Sequence, residues 1–251
     1  LADGLATAGA DRKFEVDAAT ELALTRHALG DSEGARRRLD GGLATARRAK
    51  DERREAAIHG ALGEVFRATG DLASARASFE AAISLYRTIG NRRLEGEMLG
   101  SLGALLREQG DLKAAHPFLE RALAMHKEVR DRTFEARAVG ELAAAHLEKE
   151  RLPAGRDLFL RAIQLYAETG NRHAEAVTRA QLGILELLDG RHEESRAAFV
   201  RAIWILGDVG DRKMEAVYLA FLAALESVRG ALDVALQSAE LAKRRLVGVG
   251  D

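Results

Sequence analysis

The chain has no cysteine, two prolines and one tryptophan in 251 residues. Without thiols it forms neither a disulfide nor a thiolate metal site, which fits a reducing compartment. No apolar run approaches the ~20 residues that cross a bilayer, and no signal peptide is legible. Charge of one sign is missing as well. The 38 Lys and Arg stand against 39 Asp and Glu, leaving a net charge of −1 and a pI of about 6.8. No overall basic field therefore draws in nucleic acid or an anionic membrane. These absences lead us to expect a cytoplasmic protein. Aromatics are scarce at 5% while hydrophobic residues reach 47%, so the core is expected to be Ala and Leu, a composition suited to close-packed helices. Arginine outnumbers lysine and Ala and Gly are abundant, a bias that suggests a GC-rich bacterial source.

What is present is a repeat of forty residues, without insertion or deletion. Leucine recurs at Leu22, Leu62, Leu102, Leu142, Leu182 and Leu222, and glutamate at Glu15, Glu55, Glu95, Glu135, Glu175 and Glu215. Asp11, Asp51, Asn91, Asp131, Asn171 and Asp211 open the units. Self-similarity at this period predicts an all-α, right-handed solenoid of six helical hairpins. The expected units are residues 11–50, 51–90, 91–130, 131–170, 171–210 and 211–250. Residues 1–10 are read as the end of a preceding helix or a linker, in a segment of a longer protein.

Each unit splits into two helices of about 17–18 residues. The joints carry Gly30-Asp31, Gly70-Asp71, Gly110-Asp111, Gly190-Arg191 and Gly230-Ala231. Glycine enters the left-handed region cheaply and Asp caps the helix that follows. Pro153 falls in a first turn, where proline is tolerated, whereas Pro117 lies deeper and is expected to cost a backbone bond. The repeated glutamate falls in the first turn of the first helix. There it favours the helix dipole and can pair with the arginine three residues earlier, at Arg12, Arg92, Arg132, Arg172 and Arg212. Six identical helix starts explain this row better than six active sites. The last helix, with Ala239 and Lys243 at core positions, reads as a polar terminal cap.

The pattern Leu102-Gly103, Gly110-Asp111, Ala115, Leu119 and Ala122 resembles the tetratricopeptide repeat. Leu62-Gly63, Gly70-Asp71, Ala75, Phe79 and Ala82 repeat it, as do Leu182-Gly183, Ser195, Phe199 and Ala202. The unit is longer than the common one of about 34 residues and lacks its closing proline. It looks like the forty-residue variant of Pins-type polarity adaptors and multidomain bacterial regulators. The early aromatic place holds Ala19, His59, Leu99, Val139, Arg179 and Leu219, and the head of Arg179 is expected to snorkel outward.

Signatures of chemistry are not found. There is no glycine-rich phosphate loop and no nucleophile elbow at Gly100-Ser101-Leu102-Gly103. No two of the seven histidines stand four apart as a zinc pair would. No enzyme activity, metal or cofactor is expected. The basic runs at Arg36–Arg38 and Lys243–Arg245 lack interleaved aromatics and read as solvated faces, so nucleic acid is not an expected partner.

In the resembled solenoids the first helix of each hairpin lines the concave surface. One row there runs Asp17, Ala57, Glu97, Arg137, Val177, Val217. A second runs Glu21, Ala61, Ser101, Glu141, Gln181, Phe221, and a third Leu24, Glu64, Ala104, Ala144, Ile184, Ala224. The groove is expected to be charged in the third and fourth units and apolar in the fifth and sixth. Val177, Gln181, Ile184, Val217 and Phe221 would anchor a protein or peptide, while Glu97, Ser101, Arg137 and Glu141 orient it. The same apolar residues could instead pack between neighbouring helices. With only Asn91 and Asn171 in the chain, an asparagine ladder along an extended peptide is excluded. The expected function is a non-catalytic interaction scaffold in a signalling protein. The alternatives are a sensor controlling an attached kinase, ATPase, protease or transcription factor, and a self-association module.

Overall fold

The computed structural model describes residues 30–149 and 151–247. Among the described residues it contains eleven α-helices and no strand. The readings of residues 1–10 and of the first helix of the opening hairpin lie outside them. The chain divides into two compact units, Leu1–Val129 and Arg130–Asp251. The first holds α1 (Ser32–Arg48), α2 (Glu52–Thr69), α3 (Leu72–Thr88), α4 (Arg92–Glu108) and α5 (Leu112–Glu128). The second holds α6 (Arg132–Glu148), α7 (Leu152–Glu168), α8 (Arg172–Leu188), α9 (His192–Val209), α10 (Arg212–Val228) and α11 (Leu232–Val247). In the first unit α2 pairs with α3 and α4 with α5. In the second, α6 pairs with α7, α8 with α9 and α10 with α11.

Local chemistry sets the helix boundaries. The side chains of Asp31, Asp51, Asp71, Asn91, Asp111, Asp131, Asn171 and Asp211 each accept the backbone N–H three residues on. They satisfy donors that a helix start leaves open. Arg151 and Arg191 provide no such cap, and α7 relies on Pro153 in its first turn. The left-handed turns fall on glycine at most joints, but Lys50 (φ 52°) and Arg130 (φ 55°) adopt that conformation with a side chain. Pro117 lies inside α5, which runs on without a break.

Within each hairpin a small residue on one helix receives a large one from the other. A Cβ on Gly63 would stand 2.5 Å from the Phe79 ring, one on Gly103 2.6 Å from Leu119, and one on Gly183 3.0 Å from Phe199. Phe79, Leu119, Phe159 and Phe199 are fully buried. Burying such a side chain is worth roughly 1.5–3 kcal/mol, and the missing Cβ lets the backbones approach.

The repeated glutamate does more than begin a helix. Glu95, Glu135, Glu175 and Glu215 are 1–4% exposed, so they are not solvated. Glu95 accepts from Arg87 and Arg121, both at 3.0 Å, and Glu135 from Arg161 at 2.7 Å. The arginine three residues earlier reaches its glutamate at Arg132–Glu135 and Arg212–Glu215. Arg92 turns instead to Glu128, and Arg172 to Asp208. Glu95, Glu135 and Glu215, the last through Arg245, are therefore ionic staples between helices, because a buried charge has to be paired. Arg179 follows the same rule: it is half-buried, and its guanidinium reaches Glu175 at 2.9 Å.

The last helix departs from the polar cap expected of it. Ala239 and Lys243 are exposed, but so are Leu232, Leu236 and Leu246. Leu246 is 53% exposed, whereas Tyr86 and Leu206 at its register position are 3% and 0%. In the preceding hairpin Leu206 packs into a core cluster with Tyr218, Leu222 and Leu225 of the following helix.

Candidate partner-binding site

The nine residues expected to line a groove fall in both compact units. Glu97 and Ser101 lie on α4 of the first unit. Ser101 turns inward at 3% exposure and donates its hydroxyl to Glu64 on α2 at 3.0 Å. It joins two neighbouring helices rather than presenting a polar group to solvent. Glu97 is half-buried near the Tyr86 hydroxyl. Burial, and then the charge of Glu97, push that hydroxyl up to about 12.

The other seven belong to the second unit. Arg137 and Glu141, on α6, are half-buried and flank Tyr166. Burial of that tyrosine and the Glu141 charge raise its pKa to about 12, with Arg137 acting the other way. The Arg137 guanidinium also lies 5.7 Å from the centre of the Phe134 ring, within cation–π range. Val177, Gln181 and Ile184 are half-buried on α8. Ile184 packs on a core cluster built from Ala176, Ala180, Phe199, Tyr218 and Leu222, so helix packing accounts for most of its apolar surface.

Val217 and Phe221 on α10 remain the open part, at 39% and 38% exposure. They are one helical turn apart and share a face. Phe221 stacks on Phe199 at 5.9 Å and tilts against Tyr218 at 6.2 Å. Its ring is held by a fully buried aromatic on one side and is wet on the other. A preorganised aromatic of this kind can bury its free face in a partner at little entropic cost.

Sequence reading missed the ionic pairs that tie the second unit together. Arg156 donates twice to Glu186, at 2.8 Å, and also to Asp189, while Arg196 donates to Glu226 at 2.6 Å. The bonds from Glu186, opposed by burial and helped by Asp189, hold the Arg156 pKa above its ordinary value. The signal was present as an Arg and a Glu thirty residues apart, twice in succession. Among the described residues no group of three His, Cys, Asp or Glu could hold a metal ion. No helix there is long and apolar enough to cross a membrane.

A tetratricopeptide repeat family model matches residues 54–128 and 134–206. The chain belongs to that family. Its fold is shared with the signal transduction ATPase with numerous domains (STAND) that has a tetratricopeptide repeat sensor, from Pyrococcus horikoshii. That match has a TM-score of 0.74 and 18% identity, covering 92% of this chain and 36% of the ATPase. This chain thus spans about a third of the length of that protein. A Rap protein complexed with Competence and Sporulation Factor is similar at TM-score 0.74 and 14% identity, over 92% of this chain and 65% of that one. Pseudomonas aeruginosa pilF aligns at TM-score 0.68 and 19% identity, over 96% and 95%. No curated protein matches the chain.

Proposed function

We propose that this chain is a non-catalytic module that binds a protein or peptide partner, with Val217 and Phe221 as the anchor. The observation that carries the reading is the half-exposed Phe221 ring seated on Phe199, beside exposed Val217 on the same face of α10. Val177, Gln181 and Ile184 border it from α8, the Gln181 amide supplying a polar contact next to apolar surface. Arg137 and Glu141, on α6 of the same unit, contribute charge selectivity. Ser101 plays no part in recognition, its hydroxyl being committed to Glu64.

Peptides selected from a displayed library against the whole chain provide the test. Phe221→Ala should weaken a selected peptide about tenfold or more, the range of an interface anchor, and Val217→Ala less. A photo-crosslinker at position 217 should label the peptide. Selected peptides that bind both variants as tightly as the parent would remove the assignment.

A second reading is a sensor that governs an attached effector domain. It is favoured by the likeness to the STAND protein, in which the repeats are the sensor and this chain's equivalent is 36% of the whole.

A further inference from the structure

In the first unit, α2, α3 and the start of α4 enclose a cavity of about 460 Å³ lined by Arg53, Arg54, Ala57, Tyr86 and Leu94. Ala57 contributes only a methyl group to its lining. The same register position holds Glu97, Arg137, Val177 and Val217 in the later repeats. In the fourth repeat that position is Arg137, whose guanidinium lies 5.7 Å from the Phe134 ring, at the register of Arg54.

The charges around the cavity are not balanced. Arg54 donates to Asp51 at 2.7 Å and is neutralised there. Arg53 is exposed and has neither a carboxylate nor a hydrogen-bond partner among the described residues. Tyr86 is 3% exposed, yet its hydroxyl has no hydrogen-bond partner among the described residues either. Burial and the Glu97 charge keep that hydroxyl protonated and so available as a donor. The hydroxyl opens onto the cavity rather than being sealed in, so it offers a donor that a ligand can take in place of water.

We propose that this cavity binds a carboxylate carried on a short apolar stem. Arg53 takes the carboxylate through its planar fork, Tyr86 donates to one oxygen, and the stem rests on Ala57 and Leu94. One uncompensated guanidinium matches a single negative charge. A phosphate dianion would place its second charge beside Glu97, with Arg54 already neutralised. A peptide terminus, a glutamate side chain and a small free acid share the required chemistry. The site is separate from the apolar anchor on α10 and does not depend on it.

NMR titration of the whole chain distinguishes these sources. The probes are N-acetyl-leucine for a terminal carboxylate, N-acetyl-glutamic acid α-amide for a side-chain carboxylate, N-acetyl-leucinamide as the uncharged control, and inorganic phosphate. At least one acid should give saturable shifts at the Arg53 Nε–H and the Tyr86 ring. The amide should give none, and phosphate weaker ones. Arg53→Ala should reduce affinity about tenfold or more, and Tyr86→Phe about three- to tenfold, as expected for charge-assisted and neutral hydrogen bonds. Ala57→Glu, which copies the next repeat at an exposed position, should abolish binding with an unchanged melting curve, and Phe221→Ala should leave it intact. Failure of both acids to saturate, equal binding of the amide or phosphate, or binding indifferent to Ala57→Glu would each overturn the proposal.

Discussion

In the first unit a step of thirty residues leads from Arg36 to Phe66 and from Arg76 to Leu106; in the second it leads from Arg156 to Glu186 and from Arg196 to Glu226. The arginine is the same, but its role is not. Arg36 and Arg76 pair locally with exposed Glu33 and Glu80, at 3.1 and 2.9 Å. Leu106 meanwhile packs at 1% exposure. Arg156 and Arg196 reach across to the next helix and neutralise carboxylates 5% and 2% exposed. One contact of the repeat can thus be apolar or ionic without altering the hairpins around it. The ionic version carries a condition that the apolar one lacks, since a buried carboxylate tolerates no loss of its partner.

The largest expected effect follows from that condition. Arg156→Ala should destabilise the second unit by about 3–5 kcal/mol, because it leaves buried Glu186 only the long 3.9 Å approach of Arg191. Arg76→Ala should change the first unit by less than about 1 kcal/mol, as for an exposed pair. Denaturant unfolding, with amide exchange to assign the loss to α7 and α8, measures both. Replacing Arg156 and Glu186 together by Leu should recover most of the loss, since it restores the apolar version of the contact. Equal losses in the two single variants would break the comparison.

A smaller contrast lies at the register shared by His59 and Arg179. Both stand four residues after the repeated glutamate. Arg179 bonds Glu175 at 2.9 Å, whereas His59 lies 3.9 Å from Glu55 and accepts from Arg47 at 3.2 Å. Burial, then the Arg47 charge, hold the His59 pKa below 6.5, with Glu55 opposing. The unfolded chain therefore binds this proton more readily than the folded one. The first unit should keep its full His59 contribution above pH 6.5 and lose stability as the pH falls below it. His59→Leu, the residue at the same register in the next repeat, should flatten that dependence. Arg179→Leu, the parallel change in the second unit, should leave its pH dependence as it is. Thermal melts across this range decide between the two.

The smallest effect is at the joints. Lys50 adopts a positive φ where Gly170 and Gly210 do so in the second unit. Lys50→Gly should stabilise the first unit by up to about 1 kcal/mol through relief of that strain, offset in part by greater freedom of the unfolded chain. A melting temperature lowered by this substitution would show the lysine side chain to matter more than its backbone.

Much of the architecture can be traced to particular residues in the sequence. Asp71, Asn91 and Asp111 stand where helices start, and their caps form within three residues of chain. Gly63 and Phe79, or Gly183 and Phe199, are sixteen residues apart within one hairpin, so the turn between the two helices suffices to bring them together. The candidate anchor was partly legible. The apolar character of Val217 and Phe221 is visible in their register, but not how much of Ile184, in the neighbouring repeat, the core takes up. Ser101 appeared in a polar groove row, and only the approach of Glu64 turned it inward.

The period, the hairpins and their caps were determined by the sequence alone, because each depends on residues close along the chain. Tertiary structure decided which arginine meets Glu95 or Glu186, which apolar side chains stay wet on α10, and that Ala57 and Tyr86 line a cavity. Those outcomes depend on distances between helices that no single segment encodes. An Arg can satisfy a neighbour on its own helix or a carboxylate on the next one, and only the packed geometry chooses between them.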